Sequence, residues 1–307
     1  MGTPEFSVPI LESLIDNYDV IGVVTQPDKE VGRKRELVAP PVKELALKHG
    51  IKVLQPIKIR QEYQEVLDLN PDMIVTCAYG QIIPKEILDC PKYGCINVHG
   101  SLLPKYRGGA PIERAVMNGD KETGITIMYM DVGMDSGDII TEESTPIGSS
   151  EHIDELRSRL SILGRDLLIK TLPSIIDGTA TRTKQNEEEV TFAKIIKKED
   201  EIIDFNEKTI NIYNKIRALS PVPGPYSLLD GKRIKIYDSR TGDSTKGVPG
   251  EIINIYKDGI GVRTLDGEII ITDIQEEGKK RMPVTSYLNG ISKDKLLGKV
   301  FSINNEI

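Results

Sequence analysis

Asn97 and His99 stand two residues apart in the apolar run CINVH, residues 95–99. Side chains two apart on a strand share a face, so one face carries an amide and an imidazole. Both can donate a hydrogen bond to an oxygen that gains negative charge, and imidazole also exchanges a proton near neutral pH. Gly100, Pro104, Gly108, Gly109 and Pro111 then break the strand into a long loop, SLLPKYRGGAPIERA. In an open parallel sheet, ligands bind in the crevice beyond the carboxyl ends of the strands. The pair is therefore expected at the floor of such a crevice.

Other chemistries find little support. No serine lies in a GxSxG elbow. Cys77, Cys90 and Cys95 are an odd, sparse set that fits a reducing compartment and buried thiols, and they have no second pair to complete a zinc site. The first turn, MGTPEF, is not GxGxxG, so the dinucleotide fingerprint is absent. No apolar run reaches the length of a membrane span and no charged leader precedes an apolar segment, so a cytoplasmic protein is expected.

A chain of 307 residues suggests two domains. Its net charge of −7 speaks against a nucleic-acid partner, because phosphate binding needs Lys and Arg. Cations nevertheless cluster at Arg33-Lys34-Arg35, Lys197-Lys198, Lys232-Arg233 and Lys279-Lys280-Arg281.

The elements that must position the site follow from periodicity. Thr3, Pro4 and Glu5 read as N-cap, N1 and first turn of a helix. Buried strands are expected at Val20 to Thr25, Met73 to Cys77, 95–99 and Gly124 to Met130. Helices are expected at 41–49, 61–69, 85–88 and 111–118, in the βαβ rhythm of a doubly wound sheet. Residues 26–39 read as a long charged loop, of the kind that often carries function. A long helix from Ser150 to about Asp177 carries the stripe Ile153, Leu156, Leu160, Leu163 and Leu167, with His152 off the stripe and facing solvent. After residue 204 a helix precedes strand-like runs separated by Asp230-Gly231, Asp258-Gly259 and Asp266-Gly267, each a hairpin signal. Short antiparallel strands in this number bury a face by closing into a small barrel. The expected fold is α/β: a doubly wound, mostly parallel sheet over 1–180, a polar connector over 181–203, and a small OB-like β-barrel over 204–307.

The loop SLLPKYRGGAPIERA resembles the signature of the 10-formyltetrahydrofolate-dependent formyltransferases, and the Asn-x-His before it and YMDVGMDSGDII after it resemble the rest of that family's catalytic set. Asp131, Asp135 and Asp138 could each cap a turn by residue logic alone; the resemblance selects Asp135 beside Asn97 and His99. MGTPEFS, TQPDKEVGRKR, AYGQIIP and EEGKKRM extend the likeness over nearly the whole chain, toward the branch whose acceptor is methionyl initiator tRNA. The resemblance implies a folate site at Ala78, Tyr79, Gly80, Gln81, Ser101, Leu102, Leu103, Pro104, Asp131, Gly133 and Asp138. It also implies tRNA contacts at Arg33, Lys34, Arg35, Lys279, Lys280 and Arg281, with 10-formyltetrahydrofolate as formyl donor and no metal.

Formyl transfer to an amine needs donors aimed at the formyl oxygen and an acceptor for the amine proton. Asn97 and His99 are the donors, and Asp135 orients His99 or accepts the proton. The alternatives are a sibling enzyme acting on a nucleotide or sugar amine, and a non-catalytic RNA-binding barrel. The basic loop and the barrel count against the first, and the catalytic set against the second. A monomer is expected. The turn at MGTP follows the first, central strand in such sheets, so several apolar residues are expected upstream of Met1.

Overall fold

In the computed structural model, which describes residues 1–32 and 34–304, the expected strands and helices are present, but several strands are short. Two compact units form. The first comprises Met1–Pro111, Glu122–Pro146 and Arg157–Lys194; the second comprises Ile112–Lys121, Ile147–Leu156 and the chain from Ile195 onward.

A 3-10 turn at Glu5–Ser7 leads into α1 (Val8–Asn17). Thr3 is not its N-cap: its hydroxyl donates to the Tyr79 carbonyl at 3.1 Å, because Pro4 is extended and the helix proper starts at Val8. Strand β1 covers only Val23–Val24 of the expected Val20 to Thr25. Residues 26–39 are not an irregular loop. They hold a hairpin of β2 (Lys29–Val31) and β3 (Glu36–Val38), exposed along both strands.

Next come α2 (Pro41–Lys48), β4 (Val53–Leu54), α3 (Gln64–Asp68), β5 (Ile74–Thr76), α4 (Lys85–Leu88), β6 (Cys95–His99) and α5 (Pro111–Asn118). Then β7 (Glu122–Tyr129), β8 (Ile139–Pro146) and α6 (Ile153–Ile176) follow. Strands β1 and β4 are parallel, as are β5 and β6, while β7 and β8 extend the sheet antiparallel in the order β5-β6-β7-β8.

Backbone at Met1–Gly2 joins the two parallel pairs: Gly2 N donates to Val24 O at 3.0 Å, and Cys77 N donates to Met1 O at 2.9 Å. Beside that bridge lies an apolar cavity of about 520 Å³, lined by Ile10, Leu14, Val23, Val75 and Leu172 among others.

Alternation places helices on both faces of the sheet. Val23 packs with Leu11 of α1 and Val42 and Leu45 of α2, whereas Val24 packs with Val66 of α3, Ile87 of α4 and Cys95. On β6, Val98 therefore points away from Cys95, Asn97 and His99. It meets α6 so closely that a Cβ on Gly164 would lie 3.0 Å from it.

In the second unit, α7 (Thr209–Leu219) precedes β9 (Tyr226–Leu229), β10 (Lys232–Gly242), β11 (Ile252–Ile255), β12 (Ile260–Arg263), β13 (Glu268–Glu276), β14 (Met282–Pro283) and α8 (Val284–Leu288). The antiparallel order is β11-β12-β13-β10-β9, with β14 on β13. The free edges are joined by one C-terminal segment: Ser302 bridges Leu228 on β9, and Val300 bridges Glu251 just before β11. That closes the sheet into a small barrel and, among the described residues, leaves no long unpaired edge. Ile203, Phe205, Ile216, Ile236, Ile252, Ile269 and Phe301 fill it, each at most 7% exposed.

His152, expected in solvent, instead places Nε2 3.4 Å from Asp238 Oδ1 in this unit. Asp238 is available because β10 bulges on either side of it, which re-aims its side chain.

Candidate active site

Strand β6 ends in the first unit with Asn97 and His99 on one face, and the loop from Asp131 to Asp138 brings Asp135 onto them. Asn97 Nδ2 lies 3.4 Å from Asp135 Oδ1, and His99 Nδ1 lies 3.7 Å from the same oxygen. Thr76 Oγ1 donates to Asn97 Oδ1 at 2.8 Å, so the Asn97 amide presents its NH2 side to Asp135. His99 is buried, and its Nε2 is 3.0 Å from the Tyr106 carbonyl. A carbonyl can only accept, so Nε2 carries the hydrogen. Nδ1, the ring position facing Asp135, is left as the one that takes or gives a proton.

Asp135 itself adopts a left-handed backbone with φ of 48°. A non-glycine residue there costs on the order of 1 kcal/mol or more and persists where its surroundings enforce it. Its Oδ2 accepts from the Gly108 backbone N–H at 2.8 Å. Gly108 has φ of 120°, and a Cβ there would stand 2.7 Å from the Ala193 carbonyl. The two glycines of the signature loop thus have different neighbours: Gly108 is squeezed between Asp135 and Ala193, while Gly109 is exposed.

The loop is clamped from behind by the segment read from the sequence as a polar connector. Tyr106 N donates to Thr191 Oγ1 at 2.8 Å, Arg107 N to Thr191 O at 2.9 Å, and Ala193 N to Arg107 O at 2.7 Å. Gln185 donates to the carbonyls of Asp135 and Gly137, both at 2.8 Å. Gln185, Glu187 and Thr191 were missed by sequence reasoning, because a polar stretch without period gives no hint of where it packs, and Arg107, inside the signature loop, was not singled out from its neighbours.

The residues implied as a folate site fall into two groups. Ala78 and Gly80 are exposed at a turn, with φ of 47° and 87°. Asp131, Gly133 and Asp138 line the loop that carries Asp135; Asp131 Oδ1 closes that loop by accepting from Gly133 N and Ser136 Oγ, and Asp138 pairs with Arg182. Leu102 and Pro104 are half-buried. The other group faces inward. Tyr79 is a core residue whose phenol burial pushes up to about 12, and only its carbonyl is engaged. Ser101 and Leu103 are buried, and the Gln81 amide is taken up by Gln26 and the backbone of Pro56, Ile57 and Ile59. These four are engaged by packing and by hydrogen bonds within the protein.

Of the implied tRNA contacts, Arg33 lies outside the described residues. Lys34 and Arg35 are exposed at the tip of the β2–β3 hairpin, where Arg35 lies 3.6 Å from Glu30. Lys279, Lys280 and Arg281 are exposed in the second unit. There Lys279 pairs with Glu276 and Arg281 with Asp273, each within 2.8 Å. The structure brings together the three catalytic candidates and the Asp131 loop.

Burial pushes the thiols of Cys77 and Cys95 up to about 12, which leaves neither as a ready nucleophile. Among the described residues no group of three His, Cys, Asp or Glu side chains could hold a metal, and no helix is long and apolar enough to cross a membrane.

Comparison with known proteins points the same way. Residues 1–172 match the formyl transferase family, and residues 195–292 match the formyl transferase C-terminal domain. Methionyl-tRNA formyltransferase of Bacillus subtilis (strain 168) is 48% identical over 311 residues, covering 100% of this chain and 98% of the relative. That of Bacillus mycoides (strain KBAB4) is 52% identical, covering 94% of each. Among solved structures, an N-formyltransferase from Helicobacter canadensis in complex with folinic acid and dTDP-3-aminofucose superposes with a TM-score of 0.64 at 23% identity, over 88% of this chain and 96% of that one. A sugar 3N-formyl transferase solved with dTDP and 5-N-formyl-THF gives 0.64 at 21%, over 91% and 97%. The sugar enzymes share the fold at 21% and 23% identity, whereas the methionyl-tRNA formyltransferases are near half identical over 94% and 100% of the chain, and the chain belongs to the methionyl-tRNA formyltransferase family.

Proposed function

We infer that this chain transfers the formyl group of 10-formyltetrahydrofolate to the amino group of methionyl initiator tRNA, the step that prepares that tRNA for translation initiation. The observation that carries the reading is the convergence of Asn97, His99 and Asp135 on one point, in a chain near half identical to methionyl-tRNA formyltransferases along its whole length.

The donor supplies an electrophilic formyl carbon. Ala78 and Gly80, with the Asp131 loop, offer exposed backbone for a planar ring to lie against. Asn97 Nδ2–H and a protonated His99 Nδ1 stabilise the formyl oxygen as the amine adds and charge develops there. The amine must lose a proton, and the carrier nitrogen must gain one to leave. Asp135 is placed to take the first, directly or through water, and His99 Nδ1 is the group beside it that can pass a proton on. The formyl group moves in one transfer, with no covalent enzyme adduct. Asp135 is held for this role by the Gly108 N–H, which fixes one carboxylate oxygen and leaves the other facing the reacting atoms.

The catalytic domain spans 1–180, the connector 181–203 and the barrel 204–307. The hairpin with Arg33, Lys34 and Arg35 and the barrel with Lys279, Lys280 and Arg281 hold the tRNA. The enzyme acts as a cytoplasmic monomer.

Incubation with formyl-labelled 10-formyltetrahydrofolate, methionyl initiator tRNA and an amino sugar linked to dTDP tests the reading. Label is expected on the aminoacyl end of the tRNA. Label on the sugar amine alone would overturn it in favour of a small acceptor.

A further inference from the structure

Gln185 makes three hydrogen bonds that leave its amide no freedom. Its Nε2 donates to the carbonyls of Asp135 and Gly137, both at 2.8 Å, and its Oε1 accepts from Arg107 Nε at 2.9 Å. Two carbonyls can only accept and a guanidinium can only donate, so the amide has one possible orientation. Gln185 is 9% exposed and Arg107 5%. The far side of the guanidinium is locked by Glu187, whose oxygens lie 2.8 and 3.3 Å from its terminal nitrogens.

Those hydrogen bonds tie together both loops that build the site. Arg107 precedes Gly108, whose N–H holds Asp135 Oδ2, and the Asp135 carbonyl is held by Gln185. The Asp135 carboxylate is thus fixed through its side chain by one end of the chain Gly108–Arg107–Gln185, and through its backbone by the other. Asp135 sits at a positive φ that a non-glycine residue rarely keeps unaided, and Gln185 grips the carbonyls on either side of Ser136, across the turn that this conformation makes.

We propose that Gln185 is a positioning residue for formyl transfer: it fixes the backbone of Asp135 so that its carboxylate faces Asn97 and His99, with Arg107 and Glu187 fixing Gln185 in turn. This rests on the reading of Asp135 as catalytic. Gln185 itself touches no reacting atom, and a displacement of about 1 Å at such a group is enough to cost on the order of a hundredfold in rate.

The test is a double-mutant cycle on the full chain, with Gln185→Leu and Asp135→Asn made singly and together and assayed with methionyl initiator tRNA. Gln185→Leu removes all three hydrogen bonds at nearly constant volume and is expected to lower kcat roughly 10- to 100-fold, with both KM values within about twofold. In the Asp135→Asn background the same change is expected to cost less than about twofold, because a residue acting only through Asp135 has nothing left to position. Equal losses in both backgrounds, or a kcat for Gln185→Leu within about twofold of the parent, would overturn the proposal. Should Gln185→Leu not fold, Gln185→Glu serves instead: it keeps an acceptor for Arg107 but turns an oxygen toward the two carbonyls, and the same non-additivity is required of it. Full turnover by Asp135→Asn would remove the catalytic reading of Asp135 and the proposal with it, an outcome distinct from an additive cycle.

Discussion

Arg107 in the first unit and Arg281 in the second both pair with carboxylates at 2.8 Å, yet their side chains are 5% and 45% exposed. The buried arginine is held by Gln185 and Glu187, and its own backbone is paired with Thr191 and Ala193. Arg281 rests on the Tyr237 ring, 4.4 Å from its centroid, and on Asp273. Loss of a buried, fully bonded charge disrupts everything it touches, whereas an exposed pair contributes about 0–1 kcal/mol and can trade its carboxylate for another anion. Around Asn97, His99 and Asp135, charge therefore serves geometry. On the barrel, where cohesion comes from an apolar core of Ile236, Ile252, Ile269 and their neighbours, the exposed ion pairs carry no such structural task.

The sharpest way to break this contrast is at the reacting face. His99→Ala and Asn97→Ala are each expected to lower kcat by roughly 10²- to 10⁴-fold with little change in melting temperature. Steady-state kinetics beside a thermal melt checks this, and a large drop in stability with near-normal turnover would make the residues structural. The converse holds in the barrel. Ile236→Ala, at a fully buried position, is expected to destabilise the protein by about 2–5 kcal/mol through lost burial and the cavity left behind, read by denaturant unfolding.

Smaller effects are expected at the surface. Neutralising Lys279, Lys280 and Arg281 together should weaken tRNA binding and lower the slope of log K against log salt by roughly one for each phosphate that is no longer neutralised, with folate binding unchanged. An unchanged slope would show that Glu276 and Asp273 are the only anions these cations meet.

The smallest effect concerns His152. Hydrogen bonding to Asp238 raises its pKa above the ordinary 6.5, helped by the charges of Asp238, Asp154 and Glu155 and opposed by burial. Asp238 is held below its ordinary 3.8, chiefly by the same hydrogen bond. The histidine's contribution is complete below pH 6.5 and is lost as pH rises through its raised folded value; the aspartate's is complete above pH 3.8 and is lost in acid. The pair is thus strongest between those two values. His152→Asn should remove the part of the fall in stability above pH 6.5 that the parent shows, as followed by melts across pH.

What could be read from the sequence divides along the same line. Strand β6, α4 and α5 are where periodicity and Gly or Pro punctuation put them, and the Asp-Gly pairs sit between barrel strands as expected. Each of those signals is local. The misses are long-range. Thr3 forgoes its helix for Tyr79 O, 76 residues away; His152 finds Asp238 at a bulge no pattern announces; and Gln185 to Ala193 folds back on the signature loop through hydrogen bonds that depend on tertiary proximity. Closure of the barrel by Val300 and Ser302 rests on single bridges, too short to carry an alternating pattern. In the site, Asn97 and His99 were legible as a pair on one strand, whereas Asp135 was singled out from Asp131 and Asp138 only by resemblance. The physical distinction lies in the positive φ and the hydrogen bond from Gly108, neither of which residue types reveal.

Everything proposed for the site depends on Asn97, His99 and Asp135 acting together on the formyl group and the attacking amine. Single-turnover formylation of methionyl initiator tRNA by Asp135→Asn under saturating enzyme tests this most directly, since the substitution keeps shape and removes the proton acceptor. The expected rate is roughly 10²- to 10⁴-fold below the parent, with the affinity for both substrates retained. A rate within about threefold of the parent would contradict a joint role for the three residues.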